Sequence, residues 1–176
     1  MTTISVVIGD ITTAGTDAIV NPANDRLAAG GGACGAIFSA AGHRRLSEAC
    51  DALGGCPTGS AVSTPGFDLA QHGTSHIVHA VGPIWSRAHA DRCDEQLVSA
   101  YRSSLDEADR LGLTSIAFPA ISTGIYGFPA DRAARLVAEL LAAEEFGVSE
   151  IQLVFRDEGS ADVARAALHS AGVDLE

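Results

Sequence analysis

Short apolar runs rich in β-branched residues, separated by longer stretches with helical spacing, constrain this chain more than any other feature. Ile4 to Ile8, Ala18 to Val20, Ala61 to Thr64, His76 to Ala80, Ser115 to Phe118 and Ile151 to Phe155 are too short for helices and read as buried strands. Ala33 to Ala41, His43 to Leu53, Asp94 to Leu111, Ala130 to Glu145 and Ala161 to Ala171 read as helices. In the third of these, Leu97, Ala100, Tyr101, Leu105 and Ala108 fall on one face, and Gly112 follows as a stop. Pro65 to Thr74 and Pro119 to Pro129 read as connections. Strands that alternate with helices predict an α/β chain folded as a three-layer α/β/α domain, its sheet largely parallel and covered on both faces. With no repeat or linker, residues 1–176 read as one domain.

The composition narrows the function. Formal net charge is −11, from 22 acidic residues against 11 Lys plus Arg, which disfavours nucleic acid and anionic membrane as partners. No apolar run approaches membrane-spanning length, and Met1-Thr-Thr-Ile-Ser lacks the basic and apolar parts of a signal peptide, so a cytoplasmic location is expected. Cys34, Cys50, Cys56 and Cys93 form no CxxC pair and no zinc-type spacing, so free thiols and no metal are expected.

Two glycine-rich loops leave strand ends. The first runs Gly30-Gly31-Gly32-Ala33-Cys34-Gly35 into a helix, and the second is Ser122-Thr123-Gly124-Ile125-Tyr126-Gly127. Glycines turn backbone N–H groups toward an anion unobstructed, and a helix start adds favourable potential. Ligands of open α/β sheets bind at the carboxyl ends of strands, so the two loops together predict a site for one pyrophosphate. Gly30, Gly32 and Gly35 formally match G-x-G-x-x-G but begin well beyond the strand end, which argues against a dinucleotide-binding Rossmann unit. A Walker A loop needs Lys and Ser or Thr where this chain has Ala36-Ile37.

Individual side chains leave alternatives open. Asp10, straight after the first strand, suits either an adenine amino group or a turn cap. Asn24 suits a ribose diol, whereas Asn21 either joins the site or satisfies the strand-end backbone. Cys34 near a helix start is either a thiol of lowered pKa or a small, semi-buried side chain, and the second reading is favoured. His79 reads as packed within its strand.

These segments together resemble a known family. Gly9-Asp10-Ile11-Thr12, Asn21-Pro-Ala-Asn24, the Gly30 to Ile37 loop, Gly54-Gly-Cys-Pro-Thr-Gly59, His79-Ala-Val-Gly-Pro-Ile-Trp85 and Phe118-Pro-Ala-Ile-Ser-Thr-Gly-Ile-Tyr-Gly-Phe-Pro129 are similar, in order, to the motifs of macrodomains, nearest the MacroD-type branch. The resemblance implies a mixed, mostly parallel sheet between helices and a cleft for ADP-ribose. It places Asp10 and Ile11 at adenine with Phe155 against the ring, and Asn24 and Tyr126 at the distal ribose. Gly31, Gly32, Ala33, Cys34, Gly35 and Ile37 would meet the pyrophosphate from one side, with Asn21 beside them. Ser122, Thr123, Gly124, Ile125 and Tyr126 would meet it from the other.

Asn24, Gly32 and Cys34 would then stand nearest the reacting bond. MacroD-type hydrolases usually carry Gly-Val-Asp-Gly-Ala-Ile-His in the first loop, where this chain has Gly32-Ala33-Cys34-Gly35-Ala36-Ile37-Phe38. The aspartate assigned to water activation is thus replaced by Cys34. Two functions follow from the resemblance: a monomeric, cofactor-free hydrolase of ADP-ribosyl esters on protein acidic side chains or of O-acetyl-ADP-ribose, and a reader that binds ADP-ribose without turnover.

Overall fold

The computed structural model describes all residues from Met1 to Glu176. Six strands, β1 (Thr3–Ile8), β2 (Ala18–Ala23), β3 (Ala61–Pro65), β4 (His76–Val81), β5 (Ser115–Phe118) and β6 (Glu150–Phe155), form one sheet in the order β1-β6-β5-β2-β4-β3. All neighbours are parallel except β3, which runs antiparallel to β4 along the edge. The sheet is therefore mixed and mostly parallel, as the family resemblance implies. Five helices complete the layers: α1 (Gly32–Ala41), α2 (His43–Leu53), α3 (Ala90–Arg110), α4 (Ala130–Ala143) and α5 (Glu158–Ser170).

Alternation along the strands divides the core in two. Val20, Val78, Ile116, Phe118, Ile151 and Leu153 pack with Leu97, Tyr101 and Leu105 of α3, Val137 and Leu141 of α4, and Leu168 of α5. Ile19, Ile77, Ala117 and Val154 face the opposite way, onto Ile37 and Phe38 of α1 and Leu46 and Cys50 of α2. This double covering is why the central strands read as continuous apolar runs. No helix is long and apolar enough to cross a membrane.

Differences from the sequence expectation lie at element ends. β2 continues from Val20 through Asn21, Pro22 and Ala23, so Asn21 belongs to the strand and not to the loop. The proline is accommodated because β2 pairs with β5 only at Ala18 and Ile19, leaving that side of the strand free further on. α3 begins at Ala90, four residues before the expected Asp94, with Asp91 in the first turn. α5 begins at Glu158 because Asp157 caps it, accepting hydrogen bonds from Ser160 N (2.8 Å) and Ser160 Oγ (2.9 Å). The expected connection Pro65 to Thr74 holds a 3₁₀ turn, Phe67–His72. The ends at Ala143 and Ser170 fall one or two residues short of the expected Glu145 and Ala171, within the fraying of helix termini.

Candidate functional site

The parallel strands bring the ends of β1, β6, β5 and β2 to one edge of the sheet, and a cavity of about 540 Å³ opens there. Gly32, Ala33 and Ala36 of the first loop and α1 line it together with Pro119, Ala120, Thr123 and Gly124 of the second loop. Gly9, Ile11, Phe155 and Arg156, following β1 and β6, line it as well. The two loops chosen from sequence thus face a single cleft.

The first loop is a built structure. Asn24 Oδ1 accepts from Arg26 N (3.2 Å) and Ala28 N (3.0 Å), while its Nδ2 donates to Ala28 O (3.1 Å). Leu27, at φ 59°, buries its side chain beneath the turn. Gly31 precedes α1 without any side-chain cap, so the amides of the first helical turn have no intrahelical acceptor. None of the amides from Gly31 to Cys34 donates to another protein group, and the first to do so is Gly35, to Gly31 O (3.3 Å). Gly35 is indispensable for a second reason: a Cβ there would stand 2.7 Å from the Gly30 carbonyl oxygen.

The second loop is anchored at both ends. Tyr101 Oη donates to Pro119 O and accepts from Ile121 N, each at 3.3 Å, and Phe128 N donates to Ser122 O (2.9 Å). Between those anchors the chain turns through Ser122 at φ 65°, a conformation uncommon for a residue with a side chain. The five consecutive amides from Ser122 to Tyr126 donate to no protein acceptor. Gly32, Ala33, Thr123 and Gly124 bring free N–H groups of both loops to one cleft, an arrangement suited to an anion held by backbone dipoles in place of side-chain cations. Arg156 is the one Lys or Arg in the lining.

The remaining site residues are distributed as follows. Asp10 is a turn cap: its Oδ1 accepts from Thr12 N (2.9 Å) and Thr12 Oγ1 (2.7 Å), which hold the carboxyl below the usual range. Its Oδ2 faces Arg156 at 3.8 Å and remains accessible. The Ile11 amide donates to no protein group. Phe155 both packs on the core and lines the cleft, so the two readings of it coexist. Tyr126 is half-buried, and burial, then Asp25, then Cys34 push its hydroxyl pKa up. Ile125 projects into solvent at 94% exposure.

Five residues of the expected binding set are buried: Ile11, Asn21, Cys34, Ile37 and Ser122. Ile37 is fully buried among the α1 contacts, so its side chain is closed to a ligand. Cys34 is 6% exposed, and burial raises its thiol pKa, with the Gly30 amide and Asn21 opposing that shift. A thiolate nucleophile is therefore disfavoured near neutral pH, as the semi-buried reading holds. Asn21 satisfies no strand-end backbone; its Nδ2 bonds His79 Nδ1 at 2.9 Å.

His79 in turn meets Thr64 Oγ1 through Nε2 at 2.9 Å, so the Asn21 partner assigns its proton to Nε2. Burial lowers its pKa to about 4. Because that is below the unfolded value of about 6.5, the folded state is fully favoured above the unfolded value and loses stability as pH falls through 6.5 toward 4. A His79→Gln variant is expected to lose about 3 kcal/mol less over that window, measured by urea unfolding at each pH.

Sequence reasoning missed Gly9, Ala36, Pro119, Ala120, Arg156 and Ser160 in the lining. A signal was present for half of them. Gly9, Pro119 and Arg156 are the first residues after β1, β5 and β6, where the strand-end rule applies to every strand and not only to those followed by glycines.

Fold and cleft define a three-layer α/β domain in which two loops with unpartnered backbone amides border one cavity. The Macro domain family matches residues 20–137. A macro domain-containing protein of Streptomyces coelicolor is 47% identical over 162 residues, covering 89% of this chain and 93% of the relative. Another, from Streptomyces nogalater, is 43% identical over 177 residues, covering 97% and 94%. A mutant of the Oceanobacillus iheyensis macrodomain, solved with ADPR, superposes with a TM-score of 0.87 at 36% identity, over 94% of this chain and 91% of that one. The Trypanosoma brucei macrodomain in complex with ADP-ribose gives 0.82 at 32% identity, over 94% and 68%. This chain belongs to the macrodomain family.

Proposed function

We propose that the cleft binds ADP-ribose and hydrolyses it from a carrier, either a mono-ADP-ribosylated acidic side chain or the acetyl group of O-acetyl-ADP-ribose. The observation that carries the reading is the pair of unpartnered amide runs, Gly31 to Cys34 and Ser122 to Tyr126, which meet one cleft through Gly32, Ala33, Thr123 and Gly124. Between them a pyrophosphate replaces water as acceptor. Adenine then lies toward Asp10 Oδ2, the Ile11 amide and Phe155, and the distal ribose toward Asn24 and Tyr126. Asn24 Oδ1 is already saturated by two amides, so Asn24 meets the ribose with its one remaining Nδ2 hydrogen and only as a donor.

In the hydrolysis a water oxygen bonds to the ester carbonyl carbon as its proton passes to a base, and the ester C–O bond then breaks with that proton delivered to the departing ribose oxygen. Cys34, buried and protonated, does not supply that base. A phosphate oxygen of the bound substrate takes this role, and the loops contribute by orientation. A reader without turnover is favoured by one observation, the cysteine where a MacroD-type enzyme has aspartate.

Release from a mono-ADP-ribosylated glutamate peptide and from O-acetyl-ADP-ribose, measured beside ADP-ribose affinity, separates the two. Release from either supports the hydrolase; tight binding without release, with activity appearing only in Cys34→Asp, makes the chain a reader. Asn24→Ala removes three hydrogen bonds from the loop, at about 1 kcal/mol each. It is therefore expected to weaken ADP-ribose binding about tenfold as well as slowing turnover. Unchanged affinity in titration calorimetry would show that the loop keeps its shape without the amide.

A further inference from the structure

Arg156 is the one Lys or Arg in the lining of the cleft, and topology sets it beside Asp10. β1 and β6 are parallel neighbours with Ile8 opposite Phe155, and Gly9 N donates to Phe155 O at 2.9 Å, so the residues that follow leave the sheet side by side. Arg156 Nη1 and Asp10 Oδ2 are then 3.8 Å apart. That separation is too long for a hydrogen bond, so each atom keeps its capacity for another partner.

No other protein group engages this pair. Asp10 Oδ1 is taken by Thr12, which leaves Oδ2 as the free acceptor. Asp157 and Glu158 follow Arg156 directly, but the first accepts from Ser160 and the second from Arg165 at 2.9 Å. The guanidinium, on a side chain 76% exposed, therefore keeps its N–H donors for a ligand.

The base end of the cleft thus holds an acceptor and donors of two kinds. The Ile11 amide has a fixed direction, because it opens the 3₁₀ turn Ile11–Thr13 that Asp10 caps, whereas Arg156 swings on a long exposed stem. Adenine presents an amino donor beside a ring-nitrogen acceptor, which Asp10 Oδ2 and the Ile11 amide match as a rigid pair. A 6-oxo purine presents the reverse, a carbonyl acceptor beside a ring N–H donor. Oδ2 then accepts from the ring N–H, and the carbonyl oxygen needs a donor that can move to it. Arg156 supplies that donor.

We propose that Arg156 is a specificity-determining residue that admits 6-oxo purines, so that the cleft takes purine nucleoside diphosphate riboses as a class and not the adenine compound alone. The inference rests on the ADP-ribose reading of the cleft and deepens it.

The test titrates the full chain and its Arg156→Met variant with ADP-ribose and with the analogue that carries hypoxanthine in place of adenine. Wild type is expected to bind the two within about threefold of each other. Arg156→Met is expected to bind the hypoxanthine compound about thirtyfold more weakly than ADP-ribose, through loss of one charge-assisted hydrogen bond. The ratio is read within one variant, so a general loss of attraction to the pyrophosphate leaves it unchanged. A wild type that discriminates as strongly as Arg156→Met, or a variant that loses the same factor for both ligands, overturns the role of Arg156. Failure of wild type to bind ADP-ribose overturns the cleft reading instead, and this inference with it.

Discussion

Gly35→Ala is expected to reduce ADP-ribose affinity by at least about tenfold and to lower folding stability, although alanine is the better helix former by about 1 kcal/mol. The added Cβ would stand 2.7 Å from Gly30 O. That oxygen belongs to the backbone of the same loop and cannot rotate away, so either α1 or the loop must shift. Overpacking of this kind costs about 1–3 kcal/mol, which exceeds the propensity gain. Whichever part moves, the amides from Gly31 to Cys34 lose their common direction. Urea unfolding and titration with ADP-ribose check the two effects separately, and an alanine variant with wild-type affinity would show that the first loop does not hold the ligand.

Gly82→Ala attacks the other wall of the cleft. A Cβ at Gly82 would overlap Ser122 Oγ and stand 2.5 Å from Ile121 Cγ2. Both neighbours are buried, and Ser122 already occupies an unfavourable backbone region, so relief must come from displacing the second loop. Loss of ADP-ribose affinity of about tenfold or more is expected, with far-ultraviolet circular dichroism unchanged because the strands lie outside the disturbed turn. The two glycines lie in different loops. Similar losses from both would mean that the ligand bridges the loops, and a loss from one alone would confine it to that side.

Much of the fold was legible because the central strands are covered on both faces. Ile19, Val20, Ile77, Val78, Ile116 and Ile151 are all fully buried, and such runs identify themselves. The ends were less legible where polar contacts and not burial decide them. Asp157 extends α5 by capping Ser160, and Pro22 sits in a strand because one of its neighbours stops at Ile19.

The two glycine loops were legible as a pair, and the structure places both on one cleft. The inward-facing residues were harder. Asn21 lies in β2, and Cys34 and Ile37 in α1, with all three side chains buried beneath the loop between those elements. Arg156 was hidden for the opposite reason: a lone exposed arginine after a strand carries no pattern, and only the cleft shows that it faces Asp10.

Backbone amides of two loops are expected to hold the pyrophosphate of ADP-ribose. Titration calorimetry of the wild-type chain with ADP-ribose, ADP and AMP at two salt concentrations tests it most directly. A Kd on the order of 10 μM or tighter is expected for ADP-ribose, with weaker binding of ADP and little of AMP, which lacks the second phosphate. Weak salt dependence is expected as well, because one arginine and no lysine line the cleft. Equal affinity for AMP and ADP-ribose, or no binding of ADP-ribose at all, would contradict it.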